Sequence, residues 1–110
     1  MNNIPYEERK AVYQAAIDKY GVKAQLTKAV EELGELIVEI CHMRLGRGDR
    51  EALADELADA TIMCEQLRQI FDINDEVCDH MDYKVLRLAQ RIREKEAAAP
   101  ELNAGGDSRA

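Results

Sequence analysis

Residues 22–44 read VKAQLTKAVEELGELIVEICHMR, and the spacing of their apolar residues decides the fold class. The residues that recur every three or four positions are Leu26, Ala29, Val30, Leu33, Ile37 and Ile40. This is the period of an amphipathic α-helix that buries one face. Val30 and Cys41 widen the apolar arc beyond what one neighbouring helix covers, so we expect this helix to pack on two sides, including against another subunit.

The same period predicts three further helices around this segment. They span Pro5–Tyr20, Arg50–Phe71 and Asp75–Ala97. Pro5 suits a first helical turn and Gly21 suits the position after a helix end, while Asp49 and Asn74 are typical N-caps. No alternating strand pattern occurs. The sequence therefore predicts an all-α bundle of about four helices, forming a single domain over residues 1–97 and completed by oligomerisation.

Composition limits the function classes. The formal net charge is -7, which argues against binding to nucleic acid or to an anionic membrane. The first ten residues, MNNIPYEERK, contain no apolar run, and no segment approaches the length of a membrane span. We therefore expect a cytoplasmic protein with no membrane partner. Residues 98–110, AAPELNAGGDSRA, have the composition of a disordered tail.

Three cysteines, Cys41, Cys64 and Cys78, fall within apolar helical patterns and lack the CxxC spacing of metal or redox motifs. An odd number of cysteines in such positions favours buried, reduced thiols over redox or metal-binding roles.

Two pairs of acidic residues stand out because of their spacing and their place in the apolar pattern. Glu32 and Glu35 are three residues apart on the second helix, as are Glu56 and Asp59 on the third, so each pair shares one helix face. Glu56 lies near the middle of its helix's apolar arc. On the second helix Glu39 extends the acidic strip along the edge of the arc.

Carboxylates placed beside a core must be paired, protonated or bound to a metal ion. Converging carboxylates repel one another, so mutual pairing does not resolve their charge. Mg²⁺ prefers carboxylate oxygens, water and substrate phosphates as ligands. The pattern therefore predicts a magnesium site between the second and third helices; the alternative is that these are merely the solvated faces of acidic helices.

The fourth helix carries the complementary charge. Lys84, Arg87 and Arg91 flank its apolar face at helical spacing. Such a stripe suits the binding of a polyanion, and it also suits a solvated face that forms ion pairs along the helix. Lys28, on the same strip as the acids of the second helix, is a lesser candidate for the same role.

Three stretches of this sequence resemble the MazG-like nucleoside triphosphate pyrophosphohydrolases, an all-α superfamily, and its short phage-type members in particular. They are GVKAQLTKAVEELGELIVEI (21–40), DELADATIMCEQL (55–67) and YKVLRL (83–88). The family signature is EExxE followed after a spacer by ExxD. The strings EELGE (31–35) and ELAD (56–59) fit it, and the likeness covers about residues 21–93.

The resemblance implies Mg²⁺-dependent hydrolysis of a nucleoside or deoxynucleoside triphosphate to the monophosphate and pyrophosphate, with Mn²⁺ as a substitute metal. A role in cleansing the nucleotide pool would follow. The metal ligands it implies are Glu32, Glu35, Glu56 and Asp59. It also implies a homodimer or homotetramer.

The resemblance places Lys84 and Arg87 at the family's phosphate-contacting basic positions on the last helix. There they would stabilise charge that develops on the departing pyrophosphate. A carboxylate oxygen that is free of the metal, on Glu35 or Glu39, would take the proton from the attacking water.

Two other functions fit parts of the pattern. Glu39 and His42 form an ExxH, the spacing used by di-iron carboxylate bundles, but such a site needs two of them and Glu76 to His80 is spaced by four. A non-catalytic helical adaptor or regulatory oligomer would use the same helix faces to bind a partner, but this function does not explain why Glu56 lies in the apolar arc of its helix.

Overall fold

The protein's computed structural model describes residues 3–98, and all regular structure within them is helical. The four helices are α1 (Tyr6–Tyr20), α2 (Val22–Arg44), α3 (Arg50–Ile70) and α4 (Asn74–Ala98). The all-α class and the number of helices are therefore confirmed. Ala98 ends α4, and the rest of the predicted tail lies outside the described residues.

The chain divides into two compact units, one ending at Ile73 and the other beginning at Asn74. The first contains α1, α2 and α3, and each of these helices contacts the other two. The short connection between Arg44 and Arg50 makes α2 and α3 antiparallel neighbours. The second unit is α4, which has no buried residue. A single domain over residues 1–97 stays a prediction.

Local signals set the helix ends much as the sequence predicts. Gly21 has a positive φ of 92°, and its amide donates to the carbonyl of Ile17, which ends α1. At the start of α3, Asp49 Oδ1 accepts a hydrogen bond of 3.3 Å from the amide of Glu51, so the predicted cap is confirmed. Asn74 is itself the first residue of α4, so the prediction that this helix begins at Asp75 was one residue late.

The core of the first unit is small. Its buried apolar residues are Tyr13, Ile17, Ala29, Ala60 and Met63. Tyr13 and Ile17 lie one turn apart on the buried face of α1, but Tyr20, one turn farther along, is 61% exposed because it is the last residue before the chain turns at Gly21. On α3 the apolar residue Leu57 is also about half exposed.

Much of the apolar surface of α2 remains uncovered in the single chain. Val30, Ile37 and Val38 are each more than half exposed. The three cysteines are exposed as well, so the prediction of buried thiols was wrong. Three helices do not cover an apolar arc as wide as that of α2, and residues on its far side therefore face outward. None of the described helices is long and apolar enough to cross a membrane.

Candidate metal centre

Acidic side chains from α2 and α3 converge in the first unit. Glu32, Glu35 and Glu56 each place a carboxylate oxygen within 4.8 Å of the other two. Asp55, Glu56 and Asp59 form a second group within the same limit. Glu56 belongs to both groups and is therefore the centre of the cluster.

The antiparallel packing of the two helices produces this convergence. Residues three apart lie one above the other on a helix face. Two such pairs on antiparallel helices meet in reverse order, so Glu35 lies opposite Glu56 and Glu32 lies opposite Asp59. The carboxylates of Glu35 and Glu56 lie within 4.8 Å of each other, and the charge of Glu32 acts on Asp59. We call Glu32, Glu35, Glu56 and Asp59 the carboxylate cluster.

The cluster is unfavourable for negative charge. Partial burial raises the pKa of Glu56, and the neighbouring Glu35 adds to the shift through a hydrogen bond and through its charge. Partial burial likewise raises the pKa of Asp59, and the charge of Glu32 adds to it. Both groups therefore hold a proton more tightly than ordinary carboxyls, and a bound cation would reverse the effect.

Two carboxylate oxygens of the cluster lack a hydrogen-bond partner in the part of the chain that the structure describes. Glu32 is only 7% exposed, and its Oε1 lies 3.0 Å from Lys28 Nζ. Its other oxygen, Oε2, is buried without a hydrogen-bond partner among residues 3–98, and so is Oε2 of Glu56. Unpartnered carboxylate oxygens inside a protein are costly. Because the two oxygens belong to one group of carboxylates from α2 and α3, they are candidate ligands for a cation.

The donor set fits a hard divalent cation. Mg²⁺ binds oxygen at about 2.0–2.1 Å, so ligands on opposite sides of one ion lie about 4.2 Å apart. The oxygens of Glu32, Glu35 and Glu56 lie within 4.8 Å of one another, and small side-chain movements would bring them to that spacing. Neither group of candidate ligands among the described residues includes a histidine or a cysteine, and carboxylates alone favour Mg²⁺ or Mn²⁺ over softer metals.

The other predicted site residues have different surroundings. Glu39 lies outside both groups, and its Oε2 is 3.2 Å from Nδ1 of His42 one helical turn away. That pairing also accounts for the ExxH spacing without iron. Lys84 and Arg87 are exposed residues of α4 in the second unit, and their contact with phosphate stays a prediction.

Sequence reasoning missed one acidic member of the site. Asp55 joins Glu56 and Asp59 in the second group but is exposed. The signal for it was present, since Asp55 and Asp59 are four residues apart and share a helix face.

A cavity of about 540 Å³ opens beside the carboxylate cluster, lined by residues of α1, α2 and α3. Glu32 and Asp59 form part of its wall, together with Lys28. Farther along the same two helices the wall contains Gln25 and Gln66, both buried. Buried amides at this place could not be expected from the sequence, because neither glutamine belongs to a recognisable motif.

Comparison with protein-family models, with curated proteins and with solved structures found no match.

Proposed function

We propose that this protein is a Mg²⁺-dependent pyrophosphohydrolase of the MazG-like type, which converts nucleoside or deoxynucleoside triphosphates to monophosphate and pyrophosphate. The observation that carries the proposal is the carboxylate cluster, with its unpartnered buried oxygens on Glu32 and Glu56. The sequence signature EELGE followed by ELAD, which contains all four acids of the cluster, supports the choice of this activity over other magnesium chemistry.

Within this proposal the carboxylate cluster holds the metal. When bound, Mg²⁺ neutralises phosphate charge and lowers the pKa of the attacking water. Glu32 and Glu56 supply their unpartnered oxygens, and Asp59 and Glu35 complete the ligand set. Lys28 already holds one oxygen of Glu32, and its flexible ammonium group is within reach of an anion brought to the cluster.

Proton transfer falls to Glu35 in preference to Glu39. Glu35 is exposed and adjoins Glu56, so one of its carboxylate oxygens can bind the metal while the other, free of the metal and facing solvent, accepts the proton. Glu39 is engaged with His42 and lies outside the cluster. The contribution of Lys84 and Arg87 to binding the departing pyrophosphate belongs to the same proposal and rests on the sequence alone.

Self-association is also part of the proposal. The exposed apolar residues of α2, among them Val30 and Ile37, are suited to contact a second subunit in a homodimer or homotetramer. The net charge of the protein is -7, which disfavours binding to nucleic acid. The substrate in this proposal is therefore a nucleotide with its accompanying cation. A cytoplasmic location, where such substrates are made, fits this activity.

A nucleotide panel tests the activity. The protein is incubated with each ribo- and deoxynucleoside triphosphate and Mg²⁺, and the products are identified by chromatography and phosphorus NMR. We expect monophosphate and pyrophosphate from at least one nucleotide. Release of orthophosphate and a diphosphate would contradict the proposal.

The matched variants are Glu56→Gln and Glu31→Gln. Both remove one negative charge from a helix, but Glu31 is exposed and outside the carboxylate cluster. Glu56→Gln should reduce kcat at least about a hundredfold with unchanged helical content, while Glu31→Gln should keep wild-type turnover. Equal activity of the two variants would contradict the site assignment. Absence of both Mg²⁺ and nucleotide binding in the wild type would favour the helical adaptor.

A further inference from the structure

We infer that the cavity beside the carboxylate cluster is a nucleobase pocket, in which Gln66 determines specificity by accepting a hydrogen bond from an N–H group of the base. The inference rests on the proposed function for the identity of the ligand and adds where its organic part binds. Nothing in the sequence signature points to Gln66, which lies outside both acidic strings.

The first argument is an unsatisfied amide. Gln66 is 6% exposed and lines the cavity, and its Oε1 is buried without a hydrogen-bond partner among residues 3–98. Gln25, which is 8% exposed, lines the cavity from the facing helix. Buried amides are costly unless a partner satisfies them. A ligand with N–H donors at its edge would supply that partner.

The second argument is distance. Gln25 precedes Glu32 by seven residues on α2, and Gln66 follows Asp59 by seven on α3. Because the helices are antiparallel, the two glutamines lie at one end of the groove and the carboxylates at the other. Seven residues of helix span about 10 Å. A sugar and a base attached to a phosphate held at the carboxylate cluster would reach that far.

The third argument is the character of the walls. Apart from these polar groups the cavity is lined by apolar side chains, including Ala16, Ala24 and Met63, and by Tyr20 of α1. Flat heterocycles bind well against alanine, methionine and tyrosine side chains. An apolar slot with a few convergent polar groups is the usual form of a small-molecule site. Inorganic polyphosphate would leave this part of the cavity without a complementary group.

Binding of nucleosides tests the pocket without metal or turnover. The ¹⁵N-labelled protein, free of Mg²⁺, is titrated with adenosine, guanosine, cytidine, uridine and thymidine, and the side-chain amide signals of its five glutamines are followed by NMR. We expect the signals of Gln66 to shift with at least one nucleoside and to stay unchanged with ribose 5-phosphate. If no nucleoside shifts them, or ribose 5-phosphate shifts them equally, the pocket assignment is overturned.

A variant pair gives the second readout. Gln66→Met keeps the volume and removes the amide, and Gln14→Met makes the same change at an exposed glutamine that does not line the cavity. We expect Gln66→Met to weaken nucleoside binding about tenfold and to raise KM for the preferred triphosphate by a similar factor, with Gln14→Met unchanged. Equal behaviour of the two variants would overturn the role of Gln66.

The two proposals can fail separately. Nucleosides that bind at Gln66 in a protein that hydrolyses no triphosphate would retain the pocket and refute the activity. Hydrolysis with the expected products, but with Gln66→Met equal to Gln14→Met, would retain the activity and refute the pocket.

Discussion

Replacing Glu32 with glutamine should stabilise the metal-free protein. Glu32 is 7% exposed, and its carboxylate has those of Glu35 and Glu56 within 4.8 Å. At such a separation each pair of negative charges repels by about 1 kcal/mol even at the dielectric constant of water. The ion pair with Lys28 offsets only a small part of this repulsion, since that lysine is half exposed. The net gain from Glu32→Gln is therefore about 1–2 kcal/mol.

Magnesium should reverse the order of stability. A ligand present at a hundred times its Kd stabilises the folded protein by about 2.7 kcal/mol. The wild type should gain by this mechanism, whereas Glu32→Gln, which lacks a charged ligand at the most buried position of the cluster, should gain little.

Thermal unfolding followed by circular dichroism measures both effects, at neutral pH and low ionic strength, with and without Mg²⁺. A gain of 1 kcal/mol corresponds to about 4–8 °C in Tm for a domain of this size. Glu31→Gln serves as the control and should respond to Mg²⁺ like the wild type. A metal-free Glu32→Gln protein that melts below the wild type, or that gains as much from Mg²⁺, would refute the reasoning.

Proton binding in the cluster, a buried tyrosine and a mid-helix glycine should each affect the stability of the folded protein. The pKa values of Glu56 and Asp59 are raised, so the folded protein still binds protons at pH values where the unfolded chain has released them. The stability of the metal-free protein should therefore fall as the pH rises from about 4 towards neutrality. Urea unfolding of Asp59→Asn should show a shallower fall. Tyr13 donates a hydrogen bond to Glu65, and Tyr13→Phe should cost about 1–2 kcal/mol in the same assay. Because burial raises the pKa of Tyr13 to about 12, the stability of the wild type should fall as the pH rises from about 10 towards 12, and that of Tyr13→Phe should fall less steeply. An ultraviolet titration in which all four tyrosines ionise together would contradict this. Gly34 lies within α2, and a Cβ at this position would meet nothing within 4 Å. Gly34→Ala should therefore stabilise the protein by about 0.5–1 kcal/mol. A loss of stability would show that another chain covers the position.

The helices could be predicted from sequence because their ends are marked by local chemistry. Gly21 and Asp49 mark the starts of α2 and α3, and the apolar period indicates the helical residues that follow them. The face that each helix buries was less predictable. Tyr20 and Cys41 follow the apolar period but are exposed, because exposure depends on how far neighbouring helices extend and not on the period of one helix.

The convergence of the carboxylates could also be anticipated, since i, i+3 pairs on two antiparallel helices meet at one place. Their role as metal ligands stays a prediction. The pairing of Glu39 with His42 was not anticipated, although the two lie one turn apart. The burial of Gln25 and Gln66 at the cavity arises only when α2 and α3 pack together, so no motif within one helix could indicate it.

Binding of Mn²⁺ in place of Mg²⁺ would show directly whether the carboxylate cluster is a cation site. Mn²⁺ accepts the same oxygen ligands and broadens the NMR signals of nearby nuclei. With substoichiometric Mn²⁺ and ¹⁵N-labelled protein, we expect the amide signals of Glu32, Glu35, Glu56 and Asp59 to disappear first. Earlier loss at an exposed acidic segment such as residues 72–76, or uniform broadening along the chain, would contradict it.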